Sequence, residues 1–263
     1  GDAIADQLSV GVTRGHPAAE TDGIGVIAVS IVSHGHGAMV TRLVGQLLAC
    51  PEVAQIIVTR NVPEPTRFVG EGKVDVVENL LPKGFGANHN AAFRRCRAPF
   101  YCVLNPDIEL QGNPFPDLLA QAGRTGGAVT APLIVAPDGT VEDSARRFPT
   151  LLTLARKALG GPDGRYFIDS GQQTQAVDWV AGMFMLFASS DYAKLGGFDE
   201  RYFLYYEDVD LCARAWRAGM RVVVVPAVSA VHDARRDSHR SFRHMRWHLA
   251  SMLRFLASGL GSR

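Results

Sequence analysis

The sequence has few cysteines, no long apolar run and little net charge, and each of these absences excludes a class of protein. Its four cysteines form no Cys-x-x-Cys pair, which argues against a zinc ribbon and against a disulfide framework. No uninterrupted apolar stretch approaches the roughly 20 residues that cross a bilayer, and the first 23 residues contain no apolar segment of the signal-peptide type. The net charge of +1 gives no electrostatic argument for nucleic acid as a partner. We therefore expect a cytoplasmic protein that does not bind nucleic acid.

The chain does contain enough apolar sequence for one large α/β domain. Apolar residues make up 47% of its 263 residues and charged residues 20%, which is sufficient for a full hydrophobic core. Residues 1–23 are polar and contain glycine and proline, so we expect a flexible leader there. We expect the folded domain over residues 24–241 and an amphipathic helix over residues 242–263.

Short β-branched apolar runs alternate with helical patterns in the first half of the chain. The runs predict strands over 25–32, 55–59, 74–77 and 100–104, and the helical patterns predict helices over 39–50 and 84–95. This order predicts a mostly parallel sheet flanked by helices, with ligands beyond the carboxyl ends of its strands. Ser33-His34, Arg60-Asn61 and Asn105-Pro106-Asp107 each follow one of these strands.

The pattern in the second half is less regular. It predicts a strand over 128–135, a hairpin turn at Asp138-Gly139 and a return strand over 141–147. Residues 160–175 are expected to form a loop, and residues 177–188 a strand pair or one strand kinked at Gly182. A last strand is expected over 221–225, followed by a strand-like run over 228–231.

Two carboxylate clusters lie close to a Gly-Gly pair. Gly196-Gly197-Phe198-Asp199-Glu200 is followed by Tyr206-Glu207-Asp208-Val209-Asp210-Leu211. The second cluster opens a predicted helix, with Asp210 and Arg214 as an i,i+4 pair and Gly219 at the position that follows the last turn. Ordinary helix-start chemistry also accounts for Glu207 and Asp208, because carboxylates are favoured at helix starts.

Asp107 and His232 each follow a strand-like run. Taken singly, Asp107 is also explained as a turn cap, and His232 as a hydrogen-bonded structural histidine. A carboxylate and an imidazole, completed by diphosphate oxygens, would suit Mg²⁺ or Mn²⁺. The sequence does not establish that the two residues meet.

The order of these segments resembles the family 2 glycosyltransferases with the GT-A fold, and within them the rhamnosyltransferase-like branch. The resemblance runs from about residue 25 to about residue 241. It rests on the motifs Gly84–Asn90, Leu104–Asp107, Trp179–Gly182, Gly197–Glu200 and Tyr206–Leu211, followed by His232.

This resemblance implies a nucleotide-diphospho-sugar donor and a saccharide or polyprenyl-diphosphate-linked acceptor. The nucleotide-binding half would span 24–110 and the acceptor-binding half 111–241. Asp107 would hold Mg²⁺ or Mn²⁺, and His232 would be a further ligand of that metal or a contact of the diphosphate. Asp208 would be the general base, oriented by Glu207. We expect Asp208 to have a low pKa, because it lies at a helix start.

The remaining site residues also follow from the resemblance. The nucleotide-sugar site would comprise Ser33, His34, Arg60, Gly86, Asn90, Asn105, Asp107 and Arg235. The acceptor site would comprise Trp179, Gly182, Asp199 and Glu200. Two departures weaken the nucleotide site, because Arg60 replaces the family's usual Asp and Ser33-His34 replaces its aromatic-Asn pair. Packing in the core is the alternative for Trp179.

The C-terminal segment carries an apolar stripe at helical spacing between basic residues. The stripe comprises Phe242, Met245, Leu249, Met252, Leu253 and Leu256. Such a helix either packs its apolar face on the domain or rests on an anionic membrane surface, and the two are compatible. Contact through 242–256 would place the protein peripherally on the inner face of the cell membrane.

The sequence thus predicts an inverting, metal-dependent glycosyltransferase that moves L-rhamnose from dTDP-rhamnose in cell-surface polysaccharide assembly. A hexose or hexosamine donor is the nearest alternative. A sugar nucleotidyltransferase would need a basic, glycine-rich phosphate loop after the first strand, and the Ser33–Gly37 turn has no Lys or Arg. A non-catalytic nucleotide-sugar-binding module is the third possibility.

Overall fold

The first half of the chain forms the parallel part of a central sheet. The computed structural model describes residues 25–65, 72–233 and 242–260, so the expected leader and Arg235 lie outside the described residues. The elements of this half are β1 (Ile27–Ser33), α1 (Gly37–Leu48), β2 (Val53–Arg60), β3 (Val74–Glu78), α2 (Phe85–Phe93) and β4 (Phe100–Leu104). All four expected strands are present, and β1 pairs in parallel with both β2 and β4.

The second half adds further strands to this sheet and forms a separate two-stranded sheet, and among its described residues there are five helices. Its first elements are β5 (Ile108–Leu110), α3 (Phe115–Thr125), β6 (Gly127–Val135), β7 (Ala145–Arg146), α4 (Leu151–Ala158) and β8 (Gln175–Ala176). They are followed by β9 (Trp179–Val180), β10 (Phe184–Ala188), α5 (Ser189–Lys194), α6 (Glu207–Arg217), β11 (Arg221–His232) and α7 (Phe242–Ser258).

One nine-stranded sheet runs through both halves in the order β3-β2-β1-β4-β10-β6-β11-β5, with β8 paired to β11. The pairs from β3 to β4 are parallel, as expected. In the part of the sheet beyond β4, β10 is antiparallel to both β4 and β6, and β5 and β8 are antiparallel to β11. The sheet as a whole is therefore mixed rather than mostly parallel, because the strands of the second half enter it from both directions.

Both faces of the sheet are covered. Ala28 and Tyr101 belong to one buried cluster, whereas their neighbours Val29 and Cys102 belong to another. Successive residues of a strand point to opposite faces, so the two clusters lie on the two sides of the sheet. This burial on both sides explains why β1, β2 and β4 read as continuous apolar runs.

Two expectations for the second half need correction. The turn at Asp138-Gly139 is present, with Gly139 at φ 84°, but the predicted return strand over 141–147 is not. Val141 makes a single bridge to Val135, and the chain then leaves β6 so that β7 pairs with β9 instead. The expected strand pair over 177–188 is present as β9 and β10. The expected runs over 221–225 and 228–231 are one strand, β11, whose register with β6 shifts between Val225 and Ser229.

Helix α7 packs on the domain through a narrower face than the apolar stripe predicted. Phe255 is fully buried, and the buried Ser251 hydroxyl donates to the carbonyl of Leu204. Met245, Leu249 and Leu253 of the stripe are instead 61%, 51% and 57% exposed. Among the described residues, no helix has the length and apolar character that crossing a membrane requires.

Candidate active site

The ends of β4 and β10 bring two distant acidic segments together. The N–H of Asn105, directly after β4, donates to the carbonyl of Met183 at 2.9 Å. Gly182 directly precedes Met183, and its N–H donates to Oδ2 of Asp208 at 3.0 Å. Asn105 in turn lies two residues before Asp107. Hydrogen bonds thus connect the Glu207-Asp208 segment to the Asn105–Asp107 segment at one edge of the sheet.

The backbone that places Glu207 and Asp208 is strained. Tyr205 and Tyr206 have φ values of 71° and 68°, the left-handed region that residues with a β-carbon rarely adopt. Each such residue costs on the order of 1–3 kcal/mol, so tertiary contacts must hold the pair in place. His248 of α7 provides some of these contacts, since its ring packs edge-on against both tyrosine rings at 5.4 Å. Helix α7 therefore supports the conformation that starts α6.

The Glu207-Asp208 pair holds a proton more tightly than isolated carboxylates do. Burial, followed by the nearby charge of Asp208, raises the pKa of Glu207 to about 8. Burial also raises the pKa of Asp208, although the N–H groups of Gly182 and Val209 donate to it and oppose the shift. The expected low pKa of Asp208 is therefore wrong, because burial beside a second carboxylate outweighs the effect of the helix start.

We assign the ionised form at neutral pH to Asp208 and the protonated form to Glu207. Both oxygens of Asp208 accept a backbone hydrogen bond, which favours the carboxylate. Oε2 of Glu207 is buried without a hydrogen-bond partner among the described residues. A buried, unpartnered carboxylate oxygen is costly when charged and much less so when it carries the proton.

Asp107 and His232 meet, as a metal site would require. Strand β11 pairs antiparallel with β5, and His232 lies opposite Ile108, so its ring reaches the preceding residue. The His232 Nε2 to Asp107 Oδ2 distance is 3.1 Å, and the Nδ1 to Glu142 Oε2 distance is 2.7 Å. Burial works to lower the pKa of His232, but the hydrogen bonds and charges of Asp107 and Glu142 outweigh it and raise the pKa to about 9.

Glu142 was not identified from the sequence. It lies 90 residues before His232, and the single bridge between Val141 and Val135 brings it next to the end of β6. An acidic residue after a turn carries no local signal for this role. Only the pairing of β6 with β11, in which Val135 lies opposite Val231, places it at the histidine.

Asp107 and His232 form a suitable pair of ligands for a divalent cation. Two ligands of one octahedral ion with bonds near 2.1 Å lie about 3 Å apart, which matches the distance between Oδ2 and Nε2. Glu142 is on the other ring nitrogen and fixes the orientation of the imidazole. Within the described part of the chain, no three His, Cys, Asp or Glu residues are grouped to hold a metal ion by themselves. Phosphate oxygens and water would have to complete the shell, as they commonly do for Mg²⁺.

A large cavity opens next to Asp208. It has a volume of about 930 Å³, within the range of small-molecule sites. Its walls include Asn105, Trp179, Gly182, Glu207 and Asp208. Trp179 is half-buried, and its indole N–H donates to the carbonyl of Arg147 at 3.0 Å, so its ring is fixed as part of the wall.

The glycine at 182 allows two neighbours to approach closely. A β-carbon at Gly182 would lie 3.0 Å from the ring of Phe85, another wall residue. The same residue supplies the N–H that binds Asp208. A larger residue here would therefore displace either the wall or the carboxylate.

The carboxyl ends of β1 and β2 carry polar side chains. The buried Ser33 hydroxyl accepts from the N–H of His36 at 3.3 Å, and the exposed ring of His34 lies 3.3 Å from the Asn61 amide. Arg60 pairs with Glu78 on the adjacent strand, with 2.6 Å between Nη1 and Oε1. None of Ser33, His34 and Arg60 is among the described residues that line the 930 Å³ cavity.

The remaining predicted residues stabilise the loop over residues 196–200, here called the Gly-Gly loop, rather than line the cavity. The Asn90 amide accepts from the Tyr192 hydroxyl and the Phe198 N–H, and it donates to the Phe198 carbonyl and to Glu200. These bonds saturate the Asn90 side chain. Asp199 is paired with the neighbouring Arg201 at 2.6 Å. The structure therefore does not place Asn90 at a free nucleotide surface, nor Asp199 and Glu200 in the cavity.

Gly86 and Gly197 also serve this loop. A β-carbon at Gly86 would lie 2.7 Å from Cβ of Phe198, and one at Gly197 would lie 2.3 Å from Oδ1 of Asn90. Gly197 also has φ 68°, which favours glycine. The expected Asp210–Arg214 pair is confirmed at 2.8 Å, and Arg214 also donates to the Gly197 carbonyl, tying α6 to the loop.

Comparisons with known proteins give a consistent result. A family model described as glycosyltransferase-like family 2 matches residues 25–250. The chain is 32% identical over 249 residues to the rhamnosyltransferase WbbL of Escherichia coli K12, covering 88% of this chain and 93% of that protein. It is 36% identical over 208 residues to the N-acetylglucosaminyl-diphospho-decaprenol L-rhamnosyltransferase of Mycobacterium tuberculosis H37Rv, covering 68% of this chain and 66% of that protein.

The fold is also found among solved structures. The crystal structure of GalNAc-T7 with UDP, GalNAc and Mn²⁺ matches with a TM-score of 0.63 over 80% of this chain and 43% of that chain. Sequence identity in this match is 16%, so it bears on the fold alone. The expected GT-A fold is confirmed.

Proposed function

Because this chain belongs to the glycosyltransferase-like family 2, we propose that it is an inverting, metal-dependent enzyme that transfers L-rhamnose from dTDP-L-rhamnose. The acceptor is a saccharide or a polyprenyl-diphosphate-linked saccharide in cell-surface polysaccharide assembly. Two relatives at 32% and 36% identity are named rhamnosyltransferases, which supports the choice of sugar. The mycobacterial name also specifies a diphospho-decaprenol substrate, which supports a lipid-linked acceptor.

One observation carries the proposal: hydrogen bonds join the Asp208 segment to the Asn105–Asp107 segment at one sheet edge. A displacement at a sugar needs a base on the acceptor hydroxyl and positive charge on the departing diphosphate. Asp208 lines the 930 Å³ cavity, whereas Asp107 lies with His232 beside it. The donor would thus lie between the two carboxylates.

Asp208 is suited to remove a proton from the acceptor hydroxyl. The N–H groups of Gly182 and Val209 fix both of its oxygens and leave further lone pairs for a hydroxyl group in the cavity. Its raised pKa makes the carboxylate a stronger base than a solvent-exposed Asp. Glu207 keeps the neighbouring proton, so that the pair carries a single negative charge at neutral pH. Attack by the hydroxyl opposite the leaving diphosphate would invert the anomeric centre.

Asp107 and His232 are the proposed ligands of Mg²⁺ or Mn²⁺, and Glu142 orients the histidine. The bound cation would offset the negative charge that grows on the leaving diphosphate. Asn105 lines the cavity between this pair and Asp208, where its amide can donate to a sugar or phosphate oxygen. His34 and Ser33, at the end of β1, are the proposed neighbours of the nucleotide.

We place the enzyme on the inner face of the cell membrane. Met245, Leu249 and Leu253 of α7 are each more than half exposed, and exposed Arg246 and Arg254 lie on the same helix. Exposed apolar residues beside basic ones favour the surface of an anionic bilayer.

The test is release of nucleoside diphosphate from a panel of nucleotide sugars, with Mg²⁺ or Mn²⁺ and with or without chelator. Wild type is compared with Asp208→Asn, and Asp117→Asn is the matched control because Asp117 is exposed on α3. We expect metal-dependent release from dTDP-rhamnose that falls at least about 100-fold in Asp208→Asn, the usual contribution of a general base. The control should retain wild-type release.

Other outcomes revise particular parts of the proposal. Release from another nucleotide sugar alone would replace rhamnose as the donor. Release that persists in Asp208→Asn would contradict the assignment of the base. Donor binding without any release, even with lipid-linked saccharide acceptors added, would favour the non-catalytic binding module.

A further inference from the structure

The cavity also has basic lining residues, in contrast to the acidic Glu207 and Asp208. Five basic side chains from one segment line it, namely Arg146, Arg147, Arg156, Lys157 and Arg165. Two carboxylates neutralise part of this charge. Asp143 pairs with Arg146 and Arg165, and Asp163 pairs with Arg165 at 2.7 Å. Together these residues retain a surplus of three positive charges.

Three of these cations have no carboxylate partner among the described residues. Arg147 lies over the ring of Tyr166 at 4.9 Å, and Arg156 and Lys157 stand in the last turn of α4. All three are exposed. Exposed cations that converge on a cavity without carboxylate partners are available to an anionic ligand.

Two of these cations lie on α4, close to α7. Lys157 is close enough to His248 of α7 that its charge adds to the effect of burial and lowers the pKa of that histidine. At the other end of α4, Leu151 and Leu152 border a second, smaller cavity together with Phe255 of α7. Helices α4 and α7 are therefore neighbours, and both contribute residues to the large cavity.

The same two helices present apolar side chains to solvent. Leu151, Leu152 and Leu159, in and directly after α4, are 75%, 58% and 89% exposed. Met245, Leu249 and Leu253 of α7 are similarly exposed. The cavity lining thus includes acidic residues at Asp208 and basic residues on α4, and both helices carry exposed apolar side chains.

We propose that Arg147, Arg156 and Lys157 bind the diphosphate of a prenyl-diphosphate-linked acceptor. The acceptor sugar lies against Asp208 and Trp179, and the prenyl chain runs along α4 and α7. This inference rests on the proposed function in one respect, since it takes Asp208 as the position of the acceptor sugar. It adds the site that distinguishes a lipid-diphosphate acceptor from a free saccharide.

Two alternatives account less well for the arrangement. A neutral saccharide would need hydrogen bonds but no surplus of cations. The donor diphosphate is assigned to Asp107 and His232, which are not among the described residues lining this cavity, so it does not explain the cations that do line it. The order of charges matches one ligand that has a sugar, a diphosphate and an apolar chain in sequence.

The test is a binding titration with farnesyl diphosphate, which needs no turnover. Farnesol and inorganic pyrophosphate separate the contributions of the two ends, and phosphatidylglycerol vesicles separate a diphosphate site from general attraction to anionic lipid. The variant is the double substitution Arg156→Gln and Lys157→Gln. The matched control is Arg94→Gln and Arg95→Gln, which removes the same two charges from exposed positions after α2.

We expect farnesyl diphosphate to bind wild type and the control equally, and the α4 variant at least about tenfold more weakly, because two charge-assisted contacts are lost. Pyrophosphate should bind more weakly than farnesyl diphosphate but with the same preference for wild type. Equal affinity in wild type and the α4 variant, an equal loss in the control, or full competition by the vesicles would overturn the proposal. Since donor release is not measured, failure here leaves the proposed transferase untouched.

Discussion

Two carboxylate centres lie at the same edge of the sheet and differ in what neighbours them. At one, His232 lies between Asp107 and Glu142, so each carboxylate has a cationic partner. At the other, Glu207 and Asp208 neighbour each other in a buried site. The first centre raises the pKa of its histidine to about 9, and the second raises the pKa of Glu207 to about 8.

The difference indicates a division of labour. Asp107 and Glu142 stabilise a positive charge at His232, and once the imidazole loses its proton, its Nε2 and the Asp107 carboxylate can hold a divalent cation instead. Carboxylates without a cation must retain a proton, which suits an acid-base role near neutral pH. Each prediction below changes one centre and leaves the other intact.

The largest expected effect follows from Asp107→Ala at the cation-holding centre. It removes a proposed metal ligand, and we expect metal-dependent donor turnover to fall about 1,000-fold, since a metal supplies several kcal/mol of charge stabilisation. Calorimetric titration with Mn²⁺ in the presence of dTDP should show the matching loss of metal affinity. Wild-type Mn²⁺ affinity in this variant would exclude Asp107 as a ligand.

The second prediction concerns the stability of the proton-holding centre. In the folded protein the pKa of Glu207 is raised from 4.5 to about 8. Its contribution to the stability of the folded state is therefore fully present below pH 4.5 and is lost as the pH rises towards 8. The side chain in Glu207→Gln cannot ionise, so the free energy of unfolding of this variant should fall less than that of wild type as the pH rises over this range. The difference should be about 1.4 kcal/mol per unit of pKa shift. Urea unfolding at pH 5 and pH 8 gives the comparison with wild type.

Exposed Glu109→Gln is the control for Glu207→Gln, because it removes the same charge from the surface. Its pH dependence should match that of wild type. Identical pH dependence in Glu207→Gln and wild type would mean that Glu207 is ionised in the folded protein throughout this range.

The smallest predicted effect is that of Glu142→Gln. This residue contacts His232 but not the proposed metal position, so we expect a 10- to 100-fold loss of Mn²⁺ affinity, as for other residues that orient a ligand. Glu142→Asp should recover part of the affinity if the carboxylate can still reach Nδ1. Unchanged Mn²⁺ affinity in Glu142→Gln would remove it from the site.

The features that could be predicted from the sequence depend on residues that are close together in the chain. The helix from Glu207, the Asp210–Arg214 pair and the turn at Gly219 all follow from spacings of a few residues. The strands β1, β2 and β4 were predicted because burial on both faces makes them continuous apolar runs.

The features that could not be predicted from the sequence depend on contacts between segments that are distant in the chain. Glu142 reaches His232 only through strand pairing. Helix α4 leaves Leu151 and Leu152 exposed, so its pattern does not resemble a helix packed on a core. The raised pKa of Asp208 was mispredicted because the helix start is visible in the sequence, whereas burial beside Glu207 depends on the tertiary fold.

The most direct test of the division of labour measures donor binding and turnover side by side in Asp208→Asn. We expect Mn²⁺-dependent binding of dTDP-rhamnose to stay within about threefold of wild type, because the metal centre is intact, while turnover falls at least about 100-fold. Turnover at the wild-type rate, or loss of Mn²⁺-dependent binding together with turnover, would contradict the separation of the two centres.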